Sequence, residues 1–390
     1  MPGAILALNA GSSSIKFALF EARGERIAHG TIEDIGEAPH FRGYDQQGHL
    51  AAERRWREGL SHEDLLSPLL DWVESHHDGE PLTAVGHRIV HGGTEFAAPV
   101  RIDDEVLAAL ERLTPLAPLH QPHNLTPIRA MAKLRPGLPQ VACFDTAFHH
   151  RMPELASALP LPARYARAGV RRYGFHGLSY EYIARRFAEL DRARAAGRVI
   201  AAHLGNGASA CAMRDGRSLD TSMGFTALDG LMMGTRCGAI DPGAVLHMMQ
   251  QEGLDGETIS DILYHRSGLL GVSGESGDMR VLLESRTEAA HFAVSLFAYR
   301  AAREIAALTI PLGGLDALIF TAGIGEKAAP VRAAICAHLP HLGITLDDAA
   351  NRRHDPVISA AASKAAVRVI PTDEEAMIAD HVRAVMGAEV

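Results

Sequence analysis

Residues 4–20 read AILALNAGSSSIKFALF, two apolar runs of strand length that are separated by a glycine and three serines. This turn predicts a phosphate site, because Gly11 lets the backbone approach an anion, the serine hydroxyls can donate and Lys16 adds a positive charge. Glycine and serine are also common hairpin residues, so an ordinary polar turn is the alternative. A Walker P-loop is excluded, since no second glycine precedes Lys16 and a strand pattern follows it. Residues 13–16 fit the S-x-x-K pattern of penicillin-binding enzymes, but the S-D-N and K-T-G motifs of those enzymes are absent.

The composition is that of an ordinary globular protein. The 390 residues, 47% hydrophobic and 22% charged, predict two or three domains with proper cores. A net charge of −9 argues against a nucleic-acid partner, because binding to nucleic acid needs a basic surface. The N-terminus lacks the basic segment of a secretion signal, and no apolar run reaches membrane-spanning length. We therefore expect no nucleic-acid partner, no membrane insertion and a cytoplasmic location.

The cysteine and histidine residues do not predict a metal cage. The four cysteines are widely spaced and match no paired metal-ligand spacing, so buried free thiols are expected. Histidine is abundant, with 21 residues, but no HExxH motif or Cys/His ligand set accompanies it. A structural zinc site is therefore not expected.

Strand and helix patterns alternate along the chain, which predicts an α/β architecture. Residues 199–213, VIAAHLGNGASACAM, repeat the order of strand, glycine turn and strand. The repeat suggests duplicated domains whose two phosphate turns face each other across a cleft, although chance could also supply such a hairpin. A third glycine turn, residues 321–326, follows an apolar strand and precedes a helix, so it is either a site of backbone amides or a simple connector. The predicted strands span residues 4–9, 15–21, 84–90, 140–144, 198–204, 208–213, 316–321 and 366–370, and the predicted helices span residues 61–76, 103–112, 122–134, 178–190, 241–251, 287–309, 327–338 and 373–386.

Several further polar segments are rich in glycine, histidine and arginine. They are GHRIVHGG at 86–93, PLH at 118–120, FDTAFH at 144–149, YGFHG at 173–177, HLGNG at 203–207, MGTRCG at 233–238, DMR at 278–280 and GIG at 323–325. Together with NAGSSSIK at 9–16, these segments resemble the signatures of the acetate kinase family, across essentially the whole chain and in the expected order.

The resemblance implies an α/β fold of two RNase H-like (actin-like ATPase) domains that flank an interdomain nucleotide cleft. The N-terminal domain would span residues 1–146 and be completed by the C-terminal helix 375–390, and the C-terminal nucleotide-binding domain would span 147–374. The implied reaction is reversible in-line transfer of the ATP γ-phosphoryl group to acetate, which gives acetyl phosphate and ADP. The implied cofactor is Mg²⁺, with Mn²⁺ as an alternative, and the implied assembly is a homodimer.

Phosphoryl transfer between a carboxylate and ADP brings several negative charges together, so the reaction needs positioning and cationic groups. Arg88 and Arg236 each lie among glycines, where a guanidinium fork can meet carboxylate or phosphoryl oxygens. His176 could donate to a phosphoryl oxygen, and a hydrogen-bonded core histidine is the alternative. Asp145 ends an apolar strand, and the resemblance gives it the role of the family's essential aspartate. Acetate is already ionised near neutral pH and needs no base, so we expect Asp145 to position an arginine or the metal.

The segment PTDEE at 371–375 contains one candidate metal ligand. Thr372 and Glu375 fit a capping box at the start of the last helix, which leaves Glu374 free. The resemblance makes Glu374 and Asn9 the magnesium residues, with Asn9 acting through water. It also implies that the glycine turns and the residues beside them bind the nucleotide: Ser14, Lys16, His203, Leu204, Gly205, Asn206, Gly207, Asp278, Met279, Arg280, Gly323, Ile324, Gly325, Glu326 and Lys327.

The resemblance further implies a small apolar pocket for the substrate, formed by Arg88, Val90, Leu119, His120, Phe175 and Ala227. In isolation the apolar members of this set are ordinary core residues. Ala227 stands where a proline is expected, so a larger pocket that accepts propionate or another short-chain carboxylate is the alternative activity. Leu178 and Tyr180 stand where threonine and histidine are more usual, and Lys327 stands where asparagine is usual.

Two other classes of protein share such a nucleotide clamp. A nucleotide-driven binding protein of the Hsp70 or actin kind would have no use for the segments around Arg88, His176 and Arg236. A sugar or glycerol kinase needs an aspartate base for a hydroxyl substrate, and Asp145 keeps that alternative open, whereas the apolar pocket argues against it.

Overall fold

The computed structural model describes residues 3–11, 13–21, 24–57, 59–76 and 81–387. The chain divides into two compact units. The first unit comprises Met1–His150 and Asp373–Val390, and the second unit comprises Arg151–Thr372. None of the helices found in the described ranges is both long enough and apolar enough to cross a membrane.

The described residues contain both helices and strands throughout. The strands are β1 (Ala4–Ala10), β2 (Ile15–Glu21), β3 (Arg26–Glu33), β4 (His40–Tyr44), β5 (Leu50–Arg55), β6 (Leu82–Ile89), β7 (Val100–Arg101), β8 (Gln140–Phe144), β9 (Val199–Leu204), β10 (Ala208–Arg214), β11 (Arg217–Thr221), β12 (Ala317–Thr321) and β13 (Ala366–Val369). The α-helices are α1 (His62–Ser75), α2 (Asp104–Arg112), α3 (Gln121–Leu134), α4 (Glu154–Ser157), α5 (Ala163–Arg167), α6 (Gly177–Leu190), α7 (Arg192–Ala195), α8 (Pro242–Gln250), α9 (Gly256–His265), α10 (Gly268–Ser273), α11 (Met279–Glu284), α12 (Glu288–Ala307), α13 (Thr309–Leu312), α14 (Ala322–Lys327), α15 (Ala329–Ala337), α16 (Asp348–Arg352) and α17 (Glu374–Gly387).

Each unit is built on one mixed sheet, and the two sheets share a five-strand arrangement. The strand order is β5-β4-β3-β2-β1-β6-β8-β7 in the first unit and β11-β10-β9-β12-β13 in the second. In the first sheet, β1 pairs antiparallel with β2 and parallel with β6, which pairs parallel with β8. In the second sheet, β9, β10, β12 and β13 repeat these relations. The repeat that the two glycine hairpins suggest therefore extends to five strands of each sheet.

Parallel pairing brings three polar side chains of the first unit to one edge of its sheet. β1 is in parallel register with β6, and β6 is in parallel register with β8. Asn9, Arg88 and Asp145 lie at or just beyond the carboxyl ends of these strands. In open α/β sheets, this edge is the usual place for a ligand.

The last helix, α17, belongs to the first unit and packs across β1 and β6. Its buried side includes Met377, Ile378 and Val382. Gly86 on β6 permits this close approach, because a Cβ at that position would overlap the Ile378 side chain and lie 2.7 Å from that of Val382. Burial of this face therefore fixes the start of α17 beside the carboxyl end of β1.

The structure contains strands that the sequence patterns do not predict, and it corrects the prediction for the third glycine segment. Residues 26–55 contain three strands, β3 to β5, that the apolar patterns do not indicate. Residues Ala322–Lys327 form the short helix α14, so the third glycine segment is itself helical rather than a turn before a helix. Ala322 enters this helix with a φ of 64°, a conformation that non-glycine residues rarely adopt.

Candidate active site

Arg88 is the centre of a hydrogen-bonded cluster in the first unit. Its Nε lies 3.1 and 3.0 Å from the two carboxylate oxygens of Asp145, and its Nη2 lies 2.6 Å from Oδ2. Its Nη1 donates to Oδ1 of Asn9 at 3.0 Å. Asp145 is almost completely buried, with 1% of its side chain exposed, whereas 20% of the Arg88 side chain remains exposed. The guanidinium is thus held on one side while part of it stays accessible.

The hydrogen-bond count shows what Arg88 can still bind. A guanidinium has five N–H groups, and three of them are used by Asp145 and Asn9. Two N–H groups therefore have no acceptor among the described residues. Burial alone would lower the pKa of Arg88, but the carboxylates of Asp145 and Glu374 outweigh it and raise the pKa. Arg88 consequently keeps its charge and offers two donors to an incoming anion.

Glu374 and Glu375, at the start of α17, contact the amide nitrogen of Asn9, whereas Arg88 contacts its amide oxygen. The Asn9 amide nitrogen donates to Glu374 Oε2 at 2.9 Å and to Glu375 Oε1 at 3.3 Å. Since the amide oxygen accepts from Arg88, the nitrogen is the atom that faces the glutamates. Asn9 therefore orients the two carboxylates and does not offer its own oxygen beside them.

The capping box predicted for Thr372 and Glu375 is wrong. The carboxylate of Asp373 caps the helix, because its Oδ1 accepts from the Ala376 backbone N–H at 2.9 Å. The Thr372 hydroxyl instead contacts the Ser179 hydroxyl at 2.8 Å. Glu375 is thereby available to the Asn9 cluster, a role that the capping pattern concealed.

The donor set beside Asn9 fits a magnesium ion. Oxygen ligands are what Mg²⁺ prefers, and it is commonly bound by one or two carboxylates together with water and substrate phosphates. Burial, followed by the neighbouring Glu374 charge, raises the pKa of Glu375, so a cation would relieve the repulsion between the two carboxylates. No group of three or more Asp, Glu, His or Cys side chains suited to a metal occurs in the described part of the chain. A site shared with phosphates, rather than a cage made by the protein alone, is consistent with these residues.

Glu375→Gln is expected to stabilise the protein at neutral pH in the absence of divalent cations. Gln keeps an oxygen that can accept from Asn9, but it removes the charge beside Glu374. Because the folded state raises the pKa of Glu375 above its ordinary value of 4.5, ionisation costs stability as pH rises through the folded pKa. The advantage of the variant in melting temperature should thus be absent below pH 4.5 and grow toward neutral pH. Thermal unfolding with a chelator, over a series of pH values, measures this difference.

Glu105→Gln is the matched control for that comparison. Glu105 also lies in the first turn of a helix, α2, but it is exposed. A pH-dependent gain in the control as large as that of Glu375→Gln would contradict the explanation.

The serine-rich turn between β1 and β2 is closed by a bond from the Gly11 backbone N–H to the Ser14 carbonyl at 2.8 Å. Lys16 is exposed on β2, opposite Asn9 in the strand register. Ser12 lies outside the described residues. His62 contacts the Gly11 carbonyl through Nε2 at 2.8 Å, so the turn is braced from α1.

Asn124 connects two of the strand ends that carry the first-unit cluster. Its amide nitrogen donates to the Ala10 carbonyl at 2.8 Å, and its Oδ1 accepts from the Val90 backbone N–H at 2.9 Å. Val90, predicted as a pocket residue, is buried at this position, whereas Leu119 is 37% exposed. His120 lies between them in exposure and immediately precedes α3. The sequence offered no signal for Asn124, since a single polar residue on a helix has no pattern of its own.

The second unit contains a group of side chains around its own glycine hairpin. The turn is closed by a bond from the Gly205 backbone N–H to the Gly207 carbonyl at 3.0 Å. A Cβ on Gly207 would lie 2.7 Å from Nη2 of Arg236 and 3.3 Å from Nε2 of His176. Only glycine lets both side chains come this close to the turn. Arg236 is held there by the Ala227 carbonyl, which accepts from Nη1 at 2.6 Å.

His176 and His203 stack on each other in this group. Their ring centroids are 4.2 Å apart and their planes differ by 16°. Nδ1 of His176 lies 2.8 Å from the Ser209 hydroxyl, and Nδ1 of His203 lies 2.9 Å from the Ser179 hydroxyl. His176 has a φ of 58°, so a left-handed residue begins the turn into α6. Both imidazoles thus have their Nδ1 atoms occupied by serine hydroxyls.

The MGTRCG segment, residues 233–238, also contacts the glycine turn of the second unit. The Asn206 carbonyl accepts from the Gly234 backbone N–H at 3.0 Å, and a Cβ on Gly234 would overlap the Asn206 side chain. Leu204 is buried at the end of β9. The glycine in MGTRCG therefore serves this close contact, two residues before Arg236.

The predicted nucleotide segment 323–327 is fixed by a fully buried arginine. Arg332 donates through Nη1 to the carbonyls of Gly325 at 2.9 Å and Glu326 at 2.8 Å. The Glu326 carboxylate accepts from the Thr372 backbone N–H at 3.1 Å. Gly323 and Lys327 are exposed, Ile324 is half-buried, and a Cβ on Gly323 would meet open space.

The remaining predicted nucleotide residues lie at the start of α11. Asp278 caps this helix through the Arg280 backbone N–H at 2.8 Å, and its carboxylate also accepts from the Arg280 guanidinium. That hydrogen bond lowers the pKa of Asp278. Arg280 is 87% exposed, and Met279 is buried behind the helix. A polyanion could therefore recruit the Arg280 side chain without disturbing the core.

Comparison with known proteins identifies the class as a phosphotransferase that uses a carboxyl group as acceptor. Residues 4–380 match the model of the acetokinase family. An acetate kinase of Rhodopseudomonas palustris is 53% identical over 98% of both chains. Among solved structures, a propionate kinase from Francisella tularensis superposes with a TM-score of 0.91 at 37% identity, covering 97% of this chain and 98% of its own. The acetate kinase of Porphyromonas gingivalis gives 0.87 at 38% identity, covering 98% of this chain and 100% of its own. The chain belongs to the acetokinase family.

Proposed function

We propose that this protein is a Mg²⁺-dependent acetate kinase that transfers the γ-phosphoryl group of ATP reversibly to acetate. The observation that carries the proposal is the state of Arg88. Its guanidinium is fixed by Asp145 and Asn9, remains charged and keeps two N–H donors for a carboxylate. A short carboxylate held by this fork would be oriented without any need for a general base.

In the proposed reaction, a carboxylate oxygen attacks the γ-phosphorus and forms the new O–P bond. The bond from the γ-phosphorus to the bridging β-phosphate oxygen breaks, and ADP leaves with that electron pair. Arg88 holds the acceptor, and Asp145 keeps Arg88 in place. Arg236 and the Nε2–H of His176 stabilise the charge on the transferred group, since electrostatic stabilisation dominates in such reactions.

The metal and nucleotide would be held by residues already described. Glu374 and Glu375 would hold Mg²⁺, with Asn9 orienting them, and the ion would neutralise phosphate charge. Mn²⁺ could replace it, because both ions accept oxygen ligands. Ser14 and Lys16 would contact the terminal phosphates, and the remainder of the nucleotide would lie against His203, residues 204–207, residues 278–280 and residues 323–327.

We also propose a homodimer that acts in the cytoplasm. Helix α12 exposes two large aromatic side chains, Phe292 at 61% and Tyr299 at 52%, which a second copy would cover. The four free cysteines suit a reducing compartment, where ATP is also supplied. Light scattering of the purified protein measures its mass against the 41.8 kDa of one chain.

Trapping of the acyl phosphate tests the activity. Hydroxylamine converts acyl phosphates to hydroxamates, so the enzyme, MgATP and each of acetate, propionate, butyrate and glycerol are incubated with it in parallel. We expect the strongest hydroxamate signal from acetate and none from glycerol. ADP formation without hydroxamate from any acid would refute the kinase proposal and favour a nucleotide-driven binding protein. Phosphorylation of glycerol would favour the sugar kinase alternative.

The second candidate acceptor is propionate, and Ala227 is the observation that favours it. Ala227 is half-buried beside Arg236, and its backbone N–H makes no hydrogen bond within the described residues. A proline can therefore be introduced without removing a donor that is in use. Propionate needs room for one additional methylene, which is worth roughly 1 to 3 kcal/mol in a specificity pocket.

Ala227→Pro is expected to shift the ratio of kcat/KM for acetate over propionate toward acetate by about tenfold or more. The wild-type enzyme should accept propionate, because the smaller side chain leaves more room. Steady-state kinetics with both acids measures the ratio. Strong rejection of propionate by the wild type, or an unchanged ratio in the variant, would remove the larger-pocket explanation.

A further inference from the structure

Two chains of hydroxyl groups end on the stacked histidines of the second unit. The Ser209 hydroxyl lies 2.8 Å from Nδ1 of His176 and 2.5 Å from the Tyr180 hydroxyl. The Ser179 hydroxyl lies 2.9 Å from Nδ1 of His203 and 2.8 Å from the Thr372 hydroxyl. Each imidazole thus contacts a serine, and each serine contacts a second hydroxyl.

The directions of these hydrogen bonds determine the histidine tautomers. Ser209 has one hydroxyl hydrogen and can donate it to only one neighbour. A phenol is more acidic than an alcohol and is the better donor, so donation from Tyr180 to Ser209 is favoured, which leaves the Ser209 hydrogen for Nδ1 of His176. Burial raises the pKa of Tyr180 well above its ordinary value, which keeps the phenol protonated as this direction requires.

The opposite nitrogens face the glycine turn. Nε2 of His176 lies 3.3 Å from the position of a Cβ on Gly207, and Nε2 of His203 lies 3.9 Å from that of a Cβ on Gly205. Two imidazolium charges stacked at 4.2 Å would repel each other, so the pair favours neutral rings. A neutral His176 ring whose Nδ1 accepts from Ser209 carries its proton on Nε2.

We propose that Tyr180 and Ser209 are positioning residues that hold His176 as the neutral Nε2–H tautomer. The inference rests on the proposed function, in which the Nε2–H of His176 stabilises the transferred phosphoryl group. This arm needs both the Tyr180 phenol and the buried Ser209 hydroxyl.

Nitrogen NMR of the full-length enzyme, labelled with ¹⁵N-histidine and free of substrates, reads the tautomer directly. The His176 signals are assigned from their loss in His176→Gln. We expect a pyridine-type Nδ1 and a pyrrole-type Nε2 for His176 in the wild type. In Ser209→Ala, the protonated Nδ1 form should become populated. A protonated Nδ1 in the wild type, or an unchanged tautomer in Ser209→Ala, would overturn the proposal.

Kinetics separates positioning from a purely structural role. Ser209→Ala should lower kcat by about 10- to 100-fold, the size of effect known for groups that orient metal-bound imidazoles. Tyr180→Phe should act in the same direction with a smaller effect, because Ser209 retains its own hydrogen. KM for acetate should stay nearly constant in both, since Arg88 is untouched.

Ser218→Ala is the matched control, because Ser218 is also buried and lies on the same sheet but outside this group. It should leave both kcat and the His176 tautomer unchanged. Should Ser209→Ala fail to fold, as judged by circular dichroism, Tyr180→Phe and the wild-type tautomer still decide the question. An enzyme that shows the expected tautomer but forms no hydroxamate would refute the proposed function and leave the tautomer assignment intact.

Discussion

Arg236→Ala is expected to lower kcat by about 10³- to 10⁵-fold, the range found when an arginine that stabilises a transferred phosphoryl group is lost. The guanidinium is held by the Ala227 carbonyl and lies over Gly207 beside Nε2 of His176. Charge in this position is most valuable in the transition state, so the loss should appear in kcat. Steady-state kinetics should show a KM for ATP within about threefold of the wild-type value.

Two further variants make this prediction specific. Arg236→Lys keeps a positive charge but loses the planar fork, so it should recover only a small part of the lost rate. Arg214→Ala is the control, since Arg214 also lies in the second unit and donates to a backbone carbonyl, that of Leu312. Equal losses in Arg236→Ala and Arg214→Ala, or wild-type activity in Arg236→Ala, would contradict the role given to Arg236.

Much of the fold could be predicted because its central strands are buried and its turns are glycine-rich. The hairpin strands β1, β2, β9 and β10 have strong apolar patterns, and the prediction of an α/β protein with a duplicated hairpin is confirmed. Strands β3 to β5 extend the first sheet outward. β5 is largely exposed, and its sequence LAAERR has no apolar face. An edge strand of this kind leaves little signal in the order of its residues.

Some residues of the candidate site could likewise be predicted from the local sequence, whereas others depend on contacts between distant parts of the chain. Arg88 and Asp145 could be singled out because each lies at the end of an apolar strand, and parallel pairing then brings them together. The sequence does not predict the role of Glu375, because its capping pattern with Thr372 is local and plausible, whereas its contact with Asn9 crosses 366 residues. Ser209 lies in the apolar strand β10, and its partners His176 and Tyr180 come from α6 and the residue before it. Only the packing of that helix against the sheet reveals such a group.

Asp145→Ala and Arg88→Ala are each expected to lower kcat/KM for acetate by at least about 100-fold, since misplacing a reacting group by an ångström can cost this much. Arg88 contacts the acceptor directly in the proposed reaction, and Asp145 acts through it. The double variant should therefore be little worse than Arg88→Ala alone, because the effect of Asp145 on the acceptor passes through Arg88. Kinetics of the four enzymes in this double-mutant cycle measures the coupling.

Stability provides an independent reading of the same pair. Asp145→Ala leaves the Arg88 charge partly buried without its principal partner, so it should lower the free energy of unfolding by up to about 3 kcal/mol. The nearby carboxylates of Glu374 and Glu375 keep the cost from being larger. The double variant should recover part of this loss, since it removes the stranded charge. Glu74→Ala is the control, because it breaks the more exposed ion pair with Arg135 and should cost no more than about 1 kcal/mol.

The cycle also decides between the two roles open to Asp145. If Asp145 only positions Arg88, the losses of activity in the two single variants are strongly non-additive. The pH profile of activity then shows no additional loss at low pH. A carboxylate that moves a proton would cost a further large factor even when Arg88 is absent, because its target would be the substrate itself. Near-additive losses would thus refute positioning and reopen the alternative of a kinase for hydroxyl substrates, for which a base is required. The bidentate contact of Asp145 with Arg88, together with its 1% exposure, leads us to expect the non-additive result.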